Sequence, residues 1–239
     1  MVARSDKTSD ESIRGDLLVA RRGQAYFSRK LNELSDDELA LPSCLPGWTR
    51  RHVIAHVGLN ARALTHLTEW AASGIETPMY GHPGEREADI ELASTLPAQA
   101  LRNLSDHAAI HLNVEWRDLE PESWNSLVRT GQGRVVPASE TVWMRTREVW
   151  IHSVDLGNGA SFSDFPDEML DRLLLDVFAA WERRRANEGL GVFTLAPTDR
   201  DYRLGDGSGT AVTGTAAQLA AWATGRGVLI DVPDAPRWL

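Results

Sequence analysis

Two pairs of metal-binding side chains, each one helical turn apart, stand in different parts of the sequence. Glu148 and His152 are four residues apart within SETVWMRTREVWIHSVDLG, and His52 and His56 are four residues apart within TRRHVIAHVGLNARAL. Side chains at positions i and i+4 of a helix are neighbours, so the members of each pair can reach a common point. Two imidazoles and one carboxylate form the ligand set of a catalytic zinc ion that keeps one position open for water or substrate. The same set also suits iron or manganese.

The segment around Glu148 predicts a helix that must bury part of a polar stripe. Its apolar residues fall on more than one face, and between them Arg145, Glu148, His152 and Asp155 follow one another at helical spacing. A buried carboxylate beside an imidazole needs a counter-charge or a metal ion. For this helix alone, a Glu–His or Arg–Glu pair that satisfies itself is the slightly simpler interpretation, and two metal ligands are the other.

A third ligand must come from another helix, and here two histidines compete. His52 follows two arginines in the first turn of its predicted helix, where solvent is expected, whereas His56 lies between two apolar residues. His56 is therefore the better candidate, with His52 as the reserve. The spacing of His107 and His111 is the same, but the polar residues beside them indicate a solvated face.

Helical periodicity predicts four helices over the first two-thirds of the chain. Thr49 and Ser139 are suitable N-caps, and Gly74 is a suitable C-terminal stop. Two loops are expected between these helices, at 77–95 and 120–138. The predicted helices lie at about 13–34, 49–74, 97–119 and 139–157. Four helices of this length with surface connections suggest a bundle.

From about residue 165 the pattern becomes a mixture of helical and extended segments. Helices are expected at about 167–187 and 215–224, and β-like runs at 192–195, 201–204, 210–214 and 228–232. We therefore expect an α+β protein with an N-terminal four-helix bundle over 1–160 and a smaller C-terminal α+β domain over 161–239. Residues 1–10 are polar and are expected to be disordered.

Composition excludes some partners. The net charge of −9 argues against nucleic acid or an anionic membrane as the main partner, because both attract a basic surface. The single cysteine, Cys44, cannot form an intramolecular disulfide and is compatible with a reducing cytosol. The polar start lacks the apolar core of a signal peptide, and no run approaches the roughly 20 apolar residues that span a bilayer. A cytoplasmic protein is expected, and a monomer, since no long exposed apolar stripe demands a partner.

Several segments of the sequence resemble the mycothiol-dependent maleylpyruvate isomerases, which belong to the DinB-like group of metal-binding helical-bundle proteins. The resemblance covers nearly the whole chain and is less clear over the N-terminal extension and over 158–210. It implies a DinB-like four-helix bundle that holds a divalent metal between its helices. The segments that carry it are GWTRRHVIAHVGLNARAL, ETPMY, QGRVVPASETVWMRTREVWIHSVDLG, ATGRG and the terminal PRWL.

The resemblance also implies a ligand set and a reaction. It places the metal, with zinc preferred, on His56, Glu148 and His152, and it gives Arg226 importance for activity. Mycothiol is implied as the thiol cosubstrate. The implied reaction is the cis-to-trans isomerisation of maleylpyruvate to fumarylpyruvate, a step in aromatic catabolism through gentisate, by thiol addition, bond rotation and thiol elimination.

Three further residues are candidates for binding small molecules. The planar guanidinium of Arg226 suits a substrate carboxylate or a polar group of the thiol, although a surface arginine that favours a helix dipole is the other interpretation. Arg86 and Tyr80, in the predicted loop 77–95, are candidates for the pocket wall. Two other functions remain open: a different metal- and thiol-dependent transferase or hydrolase on this scaffold, or a non-catalytic small-molecule binding protein.

Overall fold

Seven α-helices and four short β-strands make up the regular structure of residues 5–238, the part of the chain that the computed structural model describes. The chain divides into two compact units, the first ending at Gly159 and the second beginning at Ala160. The helices are α1 (Glu11–Asn32), α2 (Arg50–Ser73), α3 (Glu85–Ser94), α4 (Ala98–Asp118), α5 (Glu140–Asp155), α6 (Asp167–Glu188) and α7 (Ala216–Ala223). The strands are β1 (Leu127–Arg129), β2 (Val135–Pro137), β3 (Phe193–Pro197) and β4 (Thr210–Gly214).

Residues at the two ends of helix α2 supply the capping hydrogen bonds that begin and end it. At its start, the backbone N–H of Thr49 donates to Nδ1 of His52 at 3.2 Å, and the Thr49 hydroxyl lies 2.7 Å from the same atom. At its end, Gly74 adopts the left-handed conformation with φ of 73°, and its N–H donates to the carbonyl of Trp70 at 2.8 Å. The predicted cap residues Thr49 and Gly74 are confirmed.

The four long helices of the first unit pack as a bundle. Helix α2 contacts α4 and α5, and α1 contacts α5. Helices α1 and α5 come close because residue 23 is a glycine: a Cβ atom there would lie 2.6 Å from Nε1 of Trp150. The core includes Leu17, Leu64, Leu67, Leu112 and Trp124, each almost completely buried. The expected α+β class with a helical N-terminal region is confirmed.

The predicted loop 77–95 contains a further helix, so that prediction is wrong for its second half. Helix α3 begins after Gly84, which has φ of 85°, and it packs against α2 with Ile90 and Ala93 buried. The cluster of Pro83 and glycines just before it gave the segment the composition of a loop. The predicted loop 120–138 contains the antiparallel hairpin of β1 and β2, in which Val128 pairs with Val136.

The prediction of a disordered start is wrong for residues 5–10. The carboxylate of Asp6 binds the Arg21 guanidinium at 2.8 Å, and the N–H of Lys7 donates to the carbonyl of Arg117 at 2.9 Å. Asp10 caps α1 by accepting hydrogen bonds from two backbone N–H groups. Residues 1–4 lie outside the described part of the chain. The contacts of Asp6 and Lys7 are long-range, so a local polar pattern could not show them.

The second unit combines a parallel strand pair with two helices. Strands β3 and β4 pair in parallel, with Leu195 opposite Val212, and α6 packs against α7. Three rings form its core, with centroids 5.7–5.8 Å apart: Trp181, Phe193 and Trp222. The predicted run 201–204 contributes one isolated bridge, Leu204 to Leu195, and 228–232 forms neither helix nor strand.

Between residues 5 and 238, every helix falls short of the length or the apolar character that crossing a membrane requires.

Candidate functional site

Helices α2 and α5 bring together three side chains that can bind a metal ion. Nε2 of His56 lies 2.8 Å from Oε2 of Glu148, and Nε2 of His152 lies 3.1 Å from the same oxygen. The two imidazole rings are nearly perpendicular, with centroids 4.7 Å apart. One ligand atom from each residue lies within 4.8 Å of the other two. Among residues 5–238, no other group of three His, Cys, Asp or Glu side chains has this arrangement. The side chains are 6–20% exposed.

The spacing of these atoms is close to what zinc needs. Zinc binds imidazole nitrogen and carboxylate oxygen at about 2.0–2.2 Å, so neighbouring tetrahedral ligands lie roughly 3.3–3.6 Å apart. The observed separations of 2.8 and 3.1 Å need to widen by less than about 1 Å to reach that range. A set of two imidazoles and one carboxylate, on two packed helices, therefore fits a divalent cation.

For His56 and Glu148, burial and mutual contacts favour the protonation states that metal ligands require. Burial lowers the pKa of His56, outweighing the opposite effect of Glu148, and so favours the neutral imidazole. Burial alone would raise the pKa of Glu148, but His56 and His152 outweigh it and hold that pKa well below its usual value. A neutral imidazole and an ionised carboxylate are the forms that bind a metal.

Asp155 orients the second histidine. Its carboxylate is completely buried, and its Oδ2 accepts a hydrogen bond from Nδ1 of His152 at 2.8 Å. Burial would lower the pKa of His152, but the bonds to Asp155 and Glu148 raise it further than burial lowers it. A carboxylate on the outer nitrogen of a histidine fixes the tautomer that presents the other nitrogen to a metal. The sequence placed Asp155 in the polar stripe without a role; its position three residues after His152 was the available signal.

Arg145 ties the site to two other helices. Its guanidinium is buried and donates to the carbonyl of Val57 at 2.6 Å, to Oδ1 of Asn60 at 3.0 Å and to Oε1 of Gln24 at 2.7 Å. Burial lowers its pKa to about 10, against the opposing effect of Glu148, so it remains charged at neutral pH. Arg145 thus holds α5 against α1 and α2 next to His56.

The other candidate histidines lie outside the cluster. His52 is occupied by the cap with Thr49, and its Nε2 lies 3.4 Å from Glu91. His107 and His111 are exposed on α4, and His111 approaches Glu115 at 3.5 Å. Of the two competing residues on α2, the structure brings His56 to Glu148.

A cavity of about 470 Å³ opens beside His56, between α2, residues 77–81 and α3. Both predicted wall residues line it. Nη2 of Arg86 lies 3.4 Å from Nδ1 of His56, so this arginine stands where the cavity meets the candidate metal ligands. Tyr80 lies nearby, and burial raises its pKa although Arg86 acts in the opposite direction. The structure thus brings Arg86 next to His56 and places Tyr80 in the wall of the same cavity.

Arg226 belongs to the second unit. It follows α7 and Gly225, and its N–H donates to the carbonyl of Ala221 at 2.7 Å. Its Nη1 donates to the carbonyl of Thr224 at 2.6 Å, and the residue is half-buried. Arg226 therefore lies at a helix C-terminus, where an arginine favours the helix dipole. Its role in activity stays a prediction.

Comparisons with known proteins identify one family. The sequence model described as "Mycothiol maleylpyruvate isomerase N-terminal domain" matches residues 20–157. A solved structure, "Crystal structure of the mycothiol-dependent maleylpyruvate isomerase", is 41% identical and covers 95% of this chain and 97% of its own, with a TM-score of 0.87. The structure of a histidine-to-alanine mutant of such an isomerase matches with the same values. The comparison with curated proteins gave no match.

Proposed function

This chain belongs to the mycothiol-dependent maleylpyruvate isomerase family, and on that premise we propose that it converts maleylpyruvate to fumarylpyruvate with mycothiol as cosubstrate. The observation that carries the proposal is the cluster of His56, Glu148 and His152, of which His56 also lines a cavity. The reaction would serve aromatic catabolism through gentisate.

We propose that these three residues hold a divalent metal ion, with zinc as the preferred one. Their types and spacing support this, because two imidazoles and one carboxylate leave a tetrahedral position open. When bound, such an ion would lower the pKa of a coordinated thiol, ordinarily about 8.5, or polarise a substrate oxygen. Asp155 orients His152 for that task, and Arg145 holds α5 against α2.

The thiol is needed because a carbon–carbon double bond does not rotate at ambient temperature. Addition of the thiolate sulfur to the alkene carbon β to the ketone forms a C–S bond and moves the alkene electron pair toward the ketone oxygen as an enolate. The remaining single bond can rotate. The electron pair then re-forms the double bond as the C–S bond breaks, which releases the trans product and returns the thiolate unchanged.

Charged side chains near the cluster suit the dianionic substrate. Arg86 reaches both the cavity and His56, so its guanidinium can face a substrate carboxylate or the negative charge that develops on the ketone oxygen. Tyr80 beside it offers a hydroxyl donor. For Arg226, the family resemblance supports importance for activity, and its planar guanidinium suits a carboxylate of the substrate or a polar group of the thiol.

We further propose that the protein acts as a cytoplasmic monomer with small molecules as its partners. Dependence on a low-molecular-weight thiol and a lone cysteine, Cys44, support a reducing compartment. A net charge of −9 disfavours nucleic acid and anionic membranes.

The proposal is tested with the purified full-length chain. Metal content is measured, and maleylpyruvate is supplied with and without mycothiol. We expect about one equivalent of zinc, turnover only with mycothiol, and loss of both metal and turnover in His56→Ala but not in His107→Ala, which changes an exposed histidine on α4. Turnover without thiol would overturn the addition–elimination route. Thiol transfer without isomerisation would indicate a transferase, and a protein that binds neither metal nor thiol would be a binding module of another kind.

A further inference from the structure

The cavity beside His56 runs lengthwise along one face of α2. His56, Leu59, Ala63 and His66 line it, and they are spaced so that they recur on that face at each turn. Ten residues of α-helix separate the first from the last, which is about 15 Å. The metal-ligand cluster therefore stands at one end of an elongated cleft.

The opposite wall of the cleft is held by contacts with α2 and with the β1–β2 hairpin. Near the far end, Nδ1 of His66 lies 3.2 Å from the carbonyl oxygen of Pro78. The N–H of Gly131, in the β1–β2 hairpin, donates to Sδ of Met79 at 3.1 Å. Tyr80 packs over the same glycine so closely that a Cβ there would lie 2.9 Å from its ring. The wall is thus formed by the fold before any ligand arrives.

The lining has the chemistry of a site for a neutral polyhydroxylated molecule. Leu59, Ala63 and Ile90 supply an apolar surface, while Asp89 on α3 and Arg62 on α2 supply an acceptor and a donor. A carboxylate accepts hydrogen bonds from hydroxyl groups but repels a dianion. The cleft is also larger than a small keto acid needs.

We propose that this cleft holds the glucosamine and inositol rings of mycothiol, with the sulfur at the His56 end and the rings toward His66. The inference rests on the proposed use of mycothiol and adds where the thiol lies. Mycothiol is an uncharged N-acetylcysteine amide of a sugar–inositol unit, so one elongated molecule can place its sulfur at the metal ligands and its hydroxyl groups beside Asp89. The dianionic substrate would then approach from the Arg86 side of His56.

Calorimetry of mycothiol binding to the zinc-loaded full-length protein tests the proposal without turnover. His66→Trp puts a large ring at the far end of the cleft, and His107→Trp makes the same change at an exposed position on α4. We expect the Kd for mycothiol to rise at least tenfold in His66→Trp and to stay within twofold in His107→Trp. N-acetylcysteine methylamide lacks both rings and, like mycothiol, has no carboxylate, so we expect it to bind the wild type at least tenfold more weakly than mycothiol. That difference should shrink in His66→Trp.

Steady-state kinetics assign the cleft to one of the two substrates. The KM for mycothiol should rise in His66→Trp while the KM for maleylpyruvate stays near the wild-type value; the reverse pattern would overturn the proposal. Equal mycothiol Kd values in wild type and His66→Trp would also overturn it. Should His66→Trp fail to fold, as judged by circular dichroism and zinc content, Asp89→Ala with Asp106→Ala as control gives the same comparison.

The outcome separates this inference from the proposed reaction. Mycothiol that binds, and binds more weakly to His66→Trp, supports the cleft assignment even if the wild type does not isomerise maleylpyruvate. Isomerisation that needs mycothiol, with unchanged mycothiol affinity in both variants, supports the reaction and refutes the cleft. A wild type that does not bind mycothiol refutes both.

Discussion

Replacing Asp155 with asparagine tests whether a buried carboxylate tunes the metal ligands. The substitution keeps the shape of the side chain and removes its charge. In the structure, Oδ2 of Asp155 accepts the hydrogen bond from Nδ1 of His152 at 2.8 Å, with the carboxylate completely buried. An asparagine oxygen can accept the same bond but pulls less strongly on the imidazole proton. The other nitrogen, Nε2, then becomes a weaker donor to a metal.

The size of the effect follows from the contact. Hydrogen bonds to charged groups contribute about 1.5–3 kcal/mol, compared with about 1 kcal/mol for neutral ones. Replacing a charged acceptor by a neutral one should therefore cost about 0.5–2 kcal/mol. Loss of an outer partner typically weakens metal affinity about 10- to 100-fold, roughly 1.4–2.7 kcal/mol, and the two ranges overlap at about a 10- to 30-fold weaker zinc affinity. Asp155 also raises the pKa of His152. Removing its charge therefore makes protons compete less with zinc for Nε2, which partly masks the loss of zinc affinity at low pH.

Competition with a zinc chelator at mildly alkaline pH measures the affinity where proton competition is small. Asp37→Asn, which changes an exposed carboxylate, serves as the matched control and should bind zinc as the wild type does. Circular dichroism should show the same helix content in both variants. A zinc affinity within threefold of wild type in Asp155→Asn would refute the argument that this carboxylate orients and activates His152.

Three other substitutions test separate parts of the structure. His56→Ala should remove bound metal. His52→Ala should retain the metal and lose about 1 kcal/mol of unfolding free energy, because His52 belongs to the cap of α2. Metal analysis and urea denaturation measure the two effects, and metal loss in His52→Ala would contradict the assignment of His56 as the ligand. Arg145→Met should lower the unfolding free energy by about 3 kcal/mol, because it strands buried acceptors and removes one cationic neighbour of Glu148. A loss of less than about 1 kcal/mol in urea denaturation would mean that the site relaxes without this arginine. Arg226→Lys should reduce kcat/KM at least tenfold, about 1.4 kcal/mol, if a planar guanidinium binds a carboxylate; near-normal kinetics would place Arg226 outside the site.

The parts of the site that the sequence predicted are those governed by local spacing. Glu148 and His152 are one turn apart on a single helix, so any helix over that segment puts them side by side. The ends of α2 were equally predictable, because Thr49 and Gly74 act on their own backbone neighbours. Helical spacing left His52 and His56 in competition; the apolar neighbours of His56 favoured it, and the family resemblance settled the choice.

The parts that the sequence did not predict depend on residues far apart in the chain. Arg145 finds its acceptors on α1 and α2, and no spacing within α5 indicates that. Asp6 is ordered by Arg21, and Met79 by the N–H of Gly131. Ser139 takes the N-cap position of α5 as predicted, but its side chain makes no cap hydrogen bond there. Local rules place the residues of an element, and packing decides which of their polar groups find distant partners.

The charges around the cluster give a reason for the site to attract anions once it holds a cation. Arg145 carries one formal positive charge, and Glu148 and Asp155 carry one negative charge each, so these buried side chains sum to one negative charge. Without a metal, a proton on His152 compensates that charge, in keeping with its raised pKa. A divalent cation reverses the sum to one positive charge in a place where water screens little. That surplus would favour a thiolate and a substrate enolate at the same point, and Arg86, at 3.4 Å from His56, adds to it on the side facing the cavity.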